Sequence, residues 1–349
     1  MSDQLPQEFI HEDEGVAEEQ GKKRFFNGKK PNKKLVGFLA VALCLGLMVG
    51  VSLGLSPNGS KHVNSDEAFS SGSKNVQIID ITGTIKEEGE SYNQSFINER
   101  INKATNDSDN VAIALIMNTP GGSVYQCDET YLNLMDYKEE TGRPIYVYSE
   151  SMNASAGYYI SCAADKIYAN RNSTVGYIGV IGGQFIDASQ FLSDLGINVT
   201  TIHSGKNKNM GSMSVAPTEE QLAIMQTVSD EAYNQFVDVV AEGRGLDRDT
   251  VLTLADGRPY TAKQALANGL IDGVMTMDEF DEMLHKELGD NIVFYHETYT
   301  QDRMTRFLNS LGALSKTIAN RGEVASSLAK LEDMTITEPM YIAAGYENE

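Results

Sequence analysis

Three short segments hold the residue types that acyl chemistry needs. The first is Asn118-Thr119-Pro120-Gly121-Gly122-Ser123, placed after an apolar run and before a helical pattern. Glycine there lets backbone N–H groups reach a ligand with no Cβ in the way. Such groups at a helix start suit a developing oxyanion. The second is Ser151-Met152-Asn153-Ala154-Ser155-Ala156-Gly157-Tyr158-Tyr159, where Ser155 stands among small neighbours that leave room for a substrate backbone. Each segment also has a plain reading: a strand-to-helix turn for the first, a helix cap for the second. The third, His203-Ser204-Gly205-Lys206-Asn207-Lys208-Asn209, offers a base: His203 or a lysine. A lysine serves only if desolvation brings its pKa toward neutrality, and serine–lysine dyads are a known design. Otherwise Lys206 and Lys208 are two solvated loop charges, the usual state of lysine.

Other chemistries find little support. No H-E-x-x-H, paired cysteines or acidic cluster at metal spacing occurs, and there is no Walker loop or G-x-G-x-x-G after a strand. No metal and no cofactor is therefore expected. Cys44, Cys127 and Cys162 cannot form a disulfide framework, and Cys127 and Cys162 read as small buried residues. With 28 Lys+Arg against 49 Asp+Glu, the chain carries a formal charge of −21. That balance excludes a nucleic-acid binder, which needs a basic surface.

The elements that must position these segments alternate between strand and helix patterns. Strands are expected at 76–81, 111–117, 145–148 and 197–202, and a late one at 291–295. Helices are expected near 96–105, at 123–139, 155–164, 218–243, 260–269 and 277–288. The long one presents Leu222, Met225, Val228, Ala232 and Phe236 on one face. Such alternation predicts an α/β fold. The apolar stretch 339–344 reads by default as a loose tail; a packing strand for a neighbouring subunit and a pseudo-product near an active site are its other readings.

The charge is unevenly laid out. Residues 1–34 hold seven acids and seven bases, the bases all after Glu19, and residues 35–55 then run 21 positions without a charge. A helix of that length spans about 32 Å, close to a bilayer core. Lysines and arginines crowd before the span, so an N-terminal cytoplasmic segment (1–34) and a single membrane helix (35–55) are expected. The exit lacks an A-x-A site, and Cys44 lies mid-span after Leu43, which argues against a cleaved signal peptide or a lipoprotein. A Ser/Asn/Gly-rich tether (56–74), a catalytic domain (75–298) and a C-terminal extension (299–349) would follow outside the cytoplasm.

Taken in order, Pro120-Gly121-Gly122, Met152-Asn153-Ala154-Ser155-Ala156-Gly157-Tyr158-Tyr159, Ala163-Ala164-Asp165-Lys166-Ile167, Gly179-Val180-Ile181 and Ser204-Gly205-Lys206-Asn207-Lys208 form a set. That ordered set resembles bacterial signal peptide peptidases, the short membrane-anchored form of the S49 serine peptidase family. Gly243-Arg244-Gly245, Ala255-Asp256-Gly257-Arg258 and Ala265-Leu266-Ala267-Asn268-Gly269-Leu270-Ile271-Asp272 extend the likeness over about residues 76–293. The resemblance implies an α/β fold of Clp protease/crotonase type, with repeated ββα units behind the membrane helix.

By that resemblance Ser155 is the nucleophile, Lys208 the general base and the Gly122 N–H the oxyanion donor. Lys206 falls two positions off the lysine of the family's S-G-x-x-K segment. One departure stands out: where the family places a small hydroxyl residue that orients the lysine, this chain reads Val175-Gly176-Tyr177-Ile178-Gly179. Tyr177 is thus either an orienter of the base, with its hydroxyl carried farther out, or an aromatic lining an apolar groove. The implied substrates are remnant signal peptides and other unfolded apolar segments, and the implied assembly is a homo-oligomeric ring. A non-catalytic membrane scaffold and a crotonase-like acyl-CoA enzyme are the alternatives on the same fold.

Overall fold

A computed structural model of the chain describes residues 73–89, 91–299 and 340–342. The expected cytoplasmic segment, membrane helix and nearly all of the tether lie outside the described residues, as does most of the extension. Among the described residues no helix is long and apolar enough to cross a membrane.

Strand β1 (Asn75–Thr82) opens the fold, followed by α1 (Gln94–Asn106), β2 (Asn110–Thr119), β3 (Gly121–Ser123) and α2 (Val124–Thr141). Next come β4 (Ile145–Ala154), α3 (Ala156–Ser161), β5 (Lys166–Ala169), β6 (Thr174–Gly176) and α4 (Ser189–Asp194). The chain continues through α5 (Glu219–Arg244), α6 (Arg248–Leu254), β7 (Pro259–Thr261), α7 (Ala262–Ala267) and β8 (Gly273–Val274). Helix α8 (Met277–Leu288), β9 (Val293–His296) and β10 (Met340–Ile342) complete the order. The expected α/β alternation holds.

The main sheet runs β7-β6-β4-β2-β1-β9, with β5 beside β4 and β8 beside β5. Among the described residues its pairings are parallel except β6 with β7. The two-residue period of the strands divides the core. Val76, Ile78, Ala112, Ala114, Tyr146 and Tyr148 pack with Phe280 and Leu284 of α8. Their neighbours Ile79, Ile81, Ile113, Leu115 and Val147 join Leu134 of α2, Tyr158 and Tyr159 of α3 and Phe236 of α5 on the other face. Burying each large apolar side chain contributes about 1.5–3 kcal/mol, so both faces anchor the sheet.

Strand β4 does two jobs. Its first half, Tyr146 to Ser149, pairs with β5, and its end, Met152 to Ala154, pairs with β6. The expected strand at 145–148 is therefore six residues short, because Ser149, Glu150, Ser151 and Asn153 break the apolar run. That extra length carries the chain directly to Ser155.

Three expectations need correction. Residues 197–202 form no strand; Ile202 is 97 % exposed and Ile197 and Val199 are also exposed. Helix α5 starts with a Thr218–Gln221 capping box and ends at Gly245 (φ 60°), as its pattern predicts, but only Phe236, Val237, Val239 and Val240 are buried. Leu222 and Val228 of the expected stripe face outward. Finally, the stretch around Met340 is not a loose tail: β10 pairs antiparallel with β3.

Candidate active site

Ser155 sits in the turn between β4 and α3, with φ 52° and ψ −115°. A non-glycine residue there carries about 1–3 kcal/mol of strain, held only where the surroundings over-determine it. Ser155 N–H donates to Gly176 O at 2.7 Å, and Ser155 O accepts from Tyr159 N–H at 2.9 Å. The sheet thus grips one side of the residue and the helix the other. Its side chain is fully buried, and its Oγ has no hydrogen-bond partner. Thr84 and Ser173 also bury unpaired hydroxyls, so it is the strained turn that sets Ser155 apart.

Strand β3 holds the glycine pair. Ile85 N–H donates to Gly121 O and Ser123 N–H to Ile85 O, both at 2.8 Å. A Cβ on Gly122 would lie 2.0 Å from Ile85 O, so this backbone approach admits glycine alone. Thr119 braces the turn, its Oγ1 donating to Gly83 O at 2.6 Å and accepting from Gly121 N–H at 3.0 Å. The other edge of β3 takes β10, with Met340 opposite Ser123, Tyr341 opposite Gly122 and Ile342 opposite Gly121. Strand β10 also runs beside α3, the helix that Ser155 starts. An extended peptide backbone therefore lies along β3 next to the serine turn.

The candidate bases lie elsewhere. Lys208 is exposed, and among the described residues its side chain makes no hydrogen bond or ion pair. Its backbone N–H closes a turn on Gly205 O at 3.1 Å. Lys206 is bonded to Glu220, which holds the Glu220 carboxyl below its ordinary pKa. His203 is exposed, with Nδ1 3.0 Å from Gly205 O. None of the three meets Ser155 Oγ within this chain.

Tyr177 follows the carbonyl that holds Ser155 and is itself at φ 53°. Its ring lines a cavity of about 320 Å³ with Val180, Ile181, Tyr233 and Ala255. Among the described residues its hydroxyl makes no hydrogen bond, so it is bonded to neither Ser155 nor Lys208.

Both cysteines of the domain are fully or almost fully buried and free. Burial raises the Cys127 thiol, and Asp128 adds to this; burial pushes Cys162 up to about 12. Neither forms the thiolate that nucleophilic sulfur requires. Cys127 Sγ instead donates to Ala156 O at 3.2 Å.

Two groups around the serine carried no assigned role in the sequence. Asn153, Ser149 and Ser161 form a fully buried polar knot beneath Ser155. Tyr159, one turn into α3, donates to Asp128 Oδ1 at 2.6 Å, and Gln235 of α5 bonds both Asp128 and Tyr159. The signal for the first was its spacing: residues 149, 153, 157 and 161 recur every four positions across a strand-to-helix change.

A strained, buried serine at the end of a parallel-sheet strand, beside a glycine strand that receives an extended backbone, suits nucleophilic serine chemistry. The model of peptidase family S49 matches residues 137–289. The Enterococcus faecium protein named "Putative signal peptide peptidase SppA" is 33 % identical over 302 residues, covering 82 % of this chain and 86 % of that protein. Protease 4 of Haemophilus influenzae is 28 % identical over 240 residues, covering 66 % of this chain but 38 % of its own length. Protease 4 of Salmonella typhi is 31 % identical over 196 residues, 31 % of its length. The chain belongs to peptidase family S49 and is a serine peptidase.

Proposed function

We propose that this chain is a membrane-anchored endopeptidase that hydrolyses remnant signal peptides and other unfolded apolar peptides through a Ser155–Lys208 dyad. The observation that carries the reading is the pairing of β10 with β3 beside the orphaned Ser155 hydroxyl. A substrate that adds an antiparallel strand at this edge brings its backbone carbonyls alongside Ser155 and the Gly122 N–H.

In the first step neutral Lys208 Nζ accepts the Ser155 proton while Oγ bonds to the substrate carbonyl carbon. The carbonyl oxygen becomes an oxyanion facing the Gly122 N–H. Collapse re-forms the carbonyl, breaks the C–N bond and passes the proton from Lys208 to the leaving amine. Water then attacks the acyl-enzyme with Lys208 again as base, and Ser155 regains its proton.

Lys208 can do this only when desolvated, because a −21 chain favours the ammonium form. An exposed Lys208 and a buried Ser155 within one chain support completion of the dyad by a second copy, as in a homo-oligomeric ring. Exposed Ile197, Val199, Ile202 and Val215 on the same segment supply the apolar surface such a contact needs. The name of the E. faecium relative supports the substrate class. The β2–β3–α2 unit supports the Clp/crotonase-type arrangement. Anchoring through residues 35–55, with the N-terminus cytoplasmic and the peptidase domain outside, rests on span length and charge bias.

The test uses the full chain in detergent with an apolar, signal-peptide-like fluorogenic substrate. Ser155→Ala and Lys208→Ala should each be folded and inactive, and mixing the two should restore part of the activity. Activity retained by Lys208→Ala overturns the dyad. Two dead variants that stay dead when co-assembled place both residues within one chain. A parent that cleaves no peptide returns the scaffold reading.

A further inference from the structure

We propose that Asn153 is a positioning residue that holds the serine turn in its reactive conformation. The inference rests on Ser155 being the nucleophile, as proposed above. Asn153 is the penultimate residue of β4 and is fully buried. One proton of its side-chain amide goes to Ser149 Oγ and the other to Ser161 Oγ, both at 2.9 Å. Ser161 Oγ passes the chain on, donating to Gly157 O at 2.9 Å. A single side chain two positions before Ser155 is thereby tied to the backbone two positions after it.

The fit around this tie is close. A Cβ on Gly157 would lie 3.2 Å from Asn153 Oδ1 and 2.4 Å from Thr119 Cγ2. Thr119 in turn is the register partner of Asn153 and the brace of Gly121. One knot thus connects the serine turn to the glycine strand. Ser155 would relax toward an ordinary helical φ if α3 could drift from the end of β4, and the knot opposes that drift from the helix side. On the sheet side the Ser155 N–H is held by Gly176 O. Two buried hydroxyls and one buried amide, each satisfied by the others, also exclude water from beneath the nucleophile.

The experiment measures kcat, KM and melting temperature for full-chain Asn153→Ala, Ser161→Ala and the double variant, with Ser155→Ala alongside. A displacement of the hydroxyl near an ångström lowers kcat about 100-fold while KM stays within about twofold, since substrate binding does not use Ser155 Oγ. The two substitutions should be non-additive on kcat, because they cut one chain of bonds. Full kcat in folded Asn153→Ala, or losses that track only the unfolded fraction, overturns the proposal. If Asn153→Ala fails to fold, the milder Ser161→Ala decides in the same way. Activity surviving in Ser155→Ala refutes the nucleophile assignment instead, a result separate from normal kcat in the Asn153 variant.

Discussion

Gly122→Ala isolates the demand that the glycine strand makes on the site. An added Cβ would stand 2.0 Å from Ile85 O and 2.6 Å from Ile85 N, where unbonded heavy atoms settle at about 3.5 Å or more. Both neighbours are backbone atoms, and Ile85 is pinned by its bonds to Gly121 O and Ser123 N–H. Residue 85 cannot swing aside, so β3 must move by well over an ångström and carry the residue 122 N–H with it. Relieving that overlap costs about 1–3 kcal/mol of stability. Losing the proposed oxyanion donor costs a further 3–4 kcal/mol or so in the transition state, about 10²–10³ in kcat. Gly142→Ala is the matched control: Gly142 caps α2 at φ 66°, and a Cβ there meets nothing within 4 Å. It should lose about 1 kcal/mol from backbone strain and keep its kcat. Urea titration gives the stabilities and cleavage of an apolar fluorogenic peptide gives kcat. A folded Gly122→Ala enzyme with the parent's kcat would refute the oxyanion assignment, whatever its stability.

Ending the chain before Met340 should vacate the β3 edge and raise kcat/KM on short peptides; an unchanged KM would show that β10 does not compete with substrate. Lys206→Met should keep most of the activity, because Lys206 is committed to Glu220, and an inactive variant would move the base from Lys208 to Lys206. Asp272 ties the end of α5 to the sheet. Burial raises its pKa, but the Ile167 N–H and Arg244 outweigh this and hold it below the ordinary carboxylate range. A lowered folded-state pKa adds stability that is full above the unfolded value and fades as pH falls through the folded one. Asp272→Asn should therefore destabilise the chain at neutral pH, with the deficit closing in acid; a deficit independent of pH would remove the charge from the explanation.

Local pattern carried much of the fold. The β-branched and apolar runs of β1 and β2 needed only their own residues to be read, and α8 begins and ends where its Thr276–Glu279 capping box and Gly289 place it. Pattern failed where burial depends on distant partners. Residues 197–202 look like a strand because apolar side chains recur, yet among the described residues no strand pairs with them and Ile202 stays in solvent. The first half of α5 misleads for the same reason. Strand β4 was cut short because Asn153 and Ser149 look like surface residues until each is seen to satisfy the other. The candidate nucleophile and oxyanion glycine were each ambiguous alone, as a helix cap and a turn, and it was the ordered set of motifs resembling the family that singled them out. The pairing of residue 341 with residue 122 was not, since no local rule links segments more than two hundred positions apart.

Ser155 and Tyr177 are, among the described residues, the two non-glycine residues with positive φ, and the carbonyl of Gly176 stands between them. That link gives the strain a common origin. Strand β6 must end in register with β4, Ala154 opposite Gly176, while its other edge pairs with β7, Gly176 opposite Pro259. A Cβ at Gly176 would press on Tyr260 at 2.8 Å, so the strand ends where the wall of the fold closes. Tyr177 then leaves the sheet with its N–H on Arg258 O, which turns its ring into the cavity formed with Tyr233 and Ala255. The Gly176 carbonyl that fixes Ser155 and the Tyr177 N–H that bonds Arg258 O belong to one peptide unit, so the two residues are held together. Shortening residue 177 to serine would not relax residue 155, because the constraint lies in the Gly176 carbonyl and the strand register. Residue 177 can therefore vary in what it presents to substrate or to a neighbouring lysine while the serine turn stays fixed.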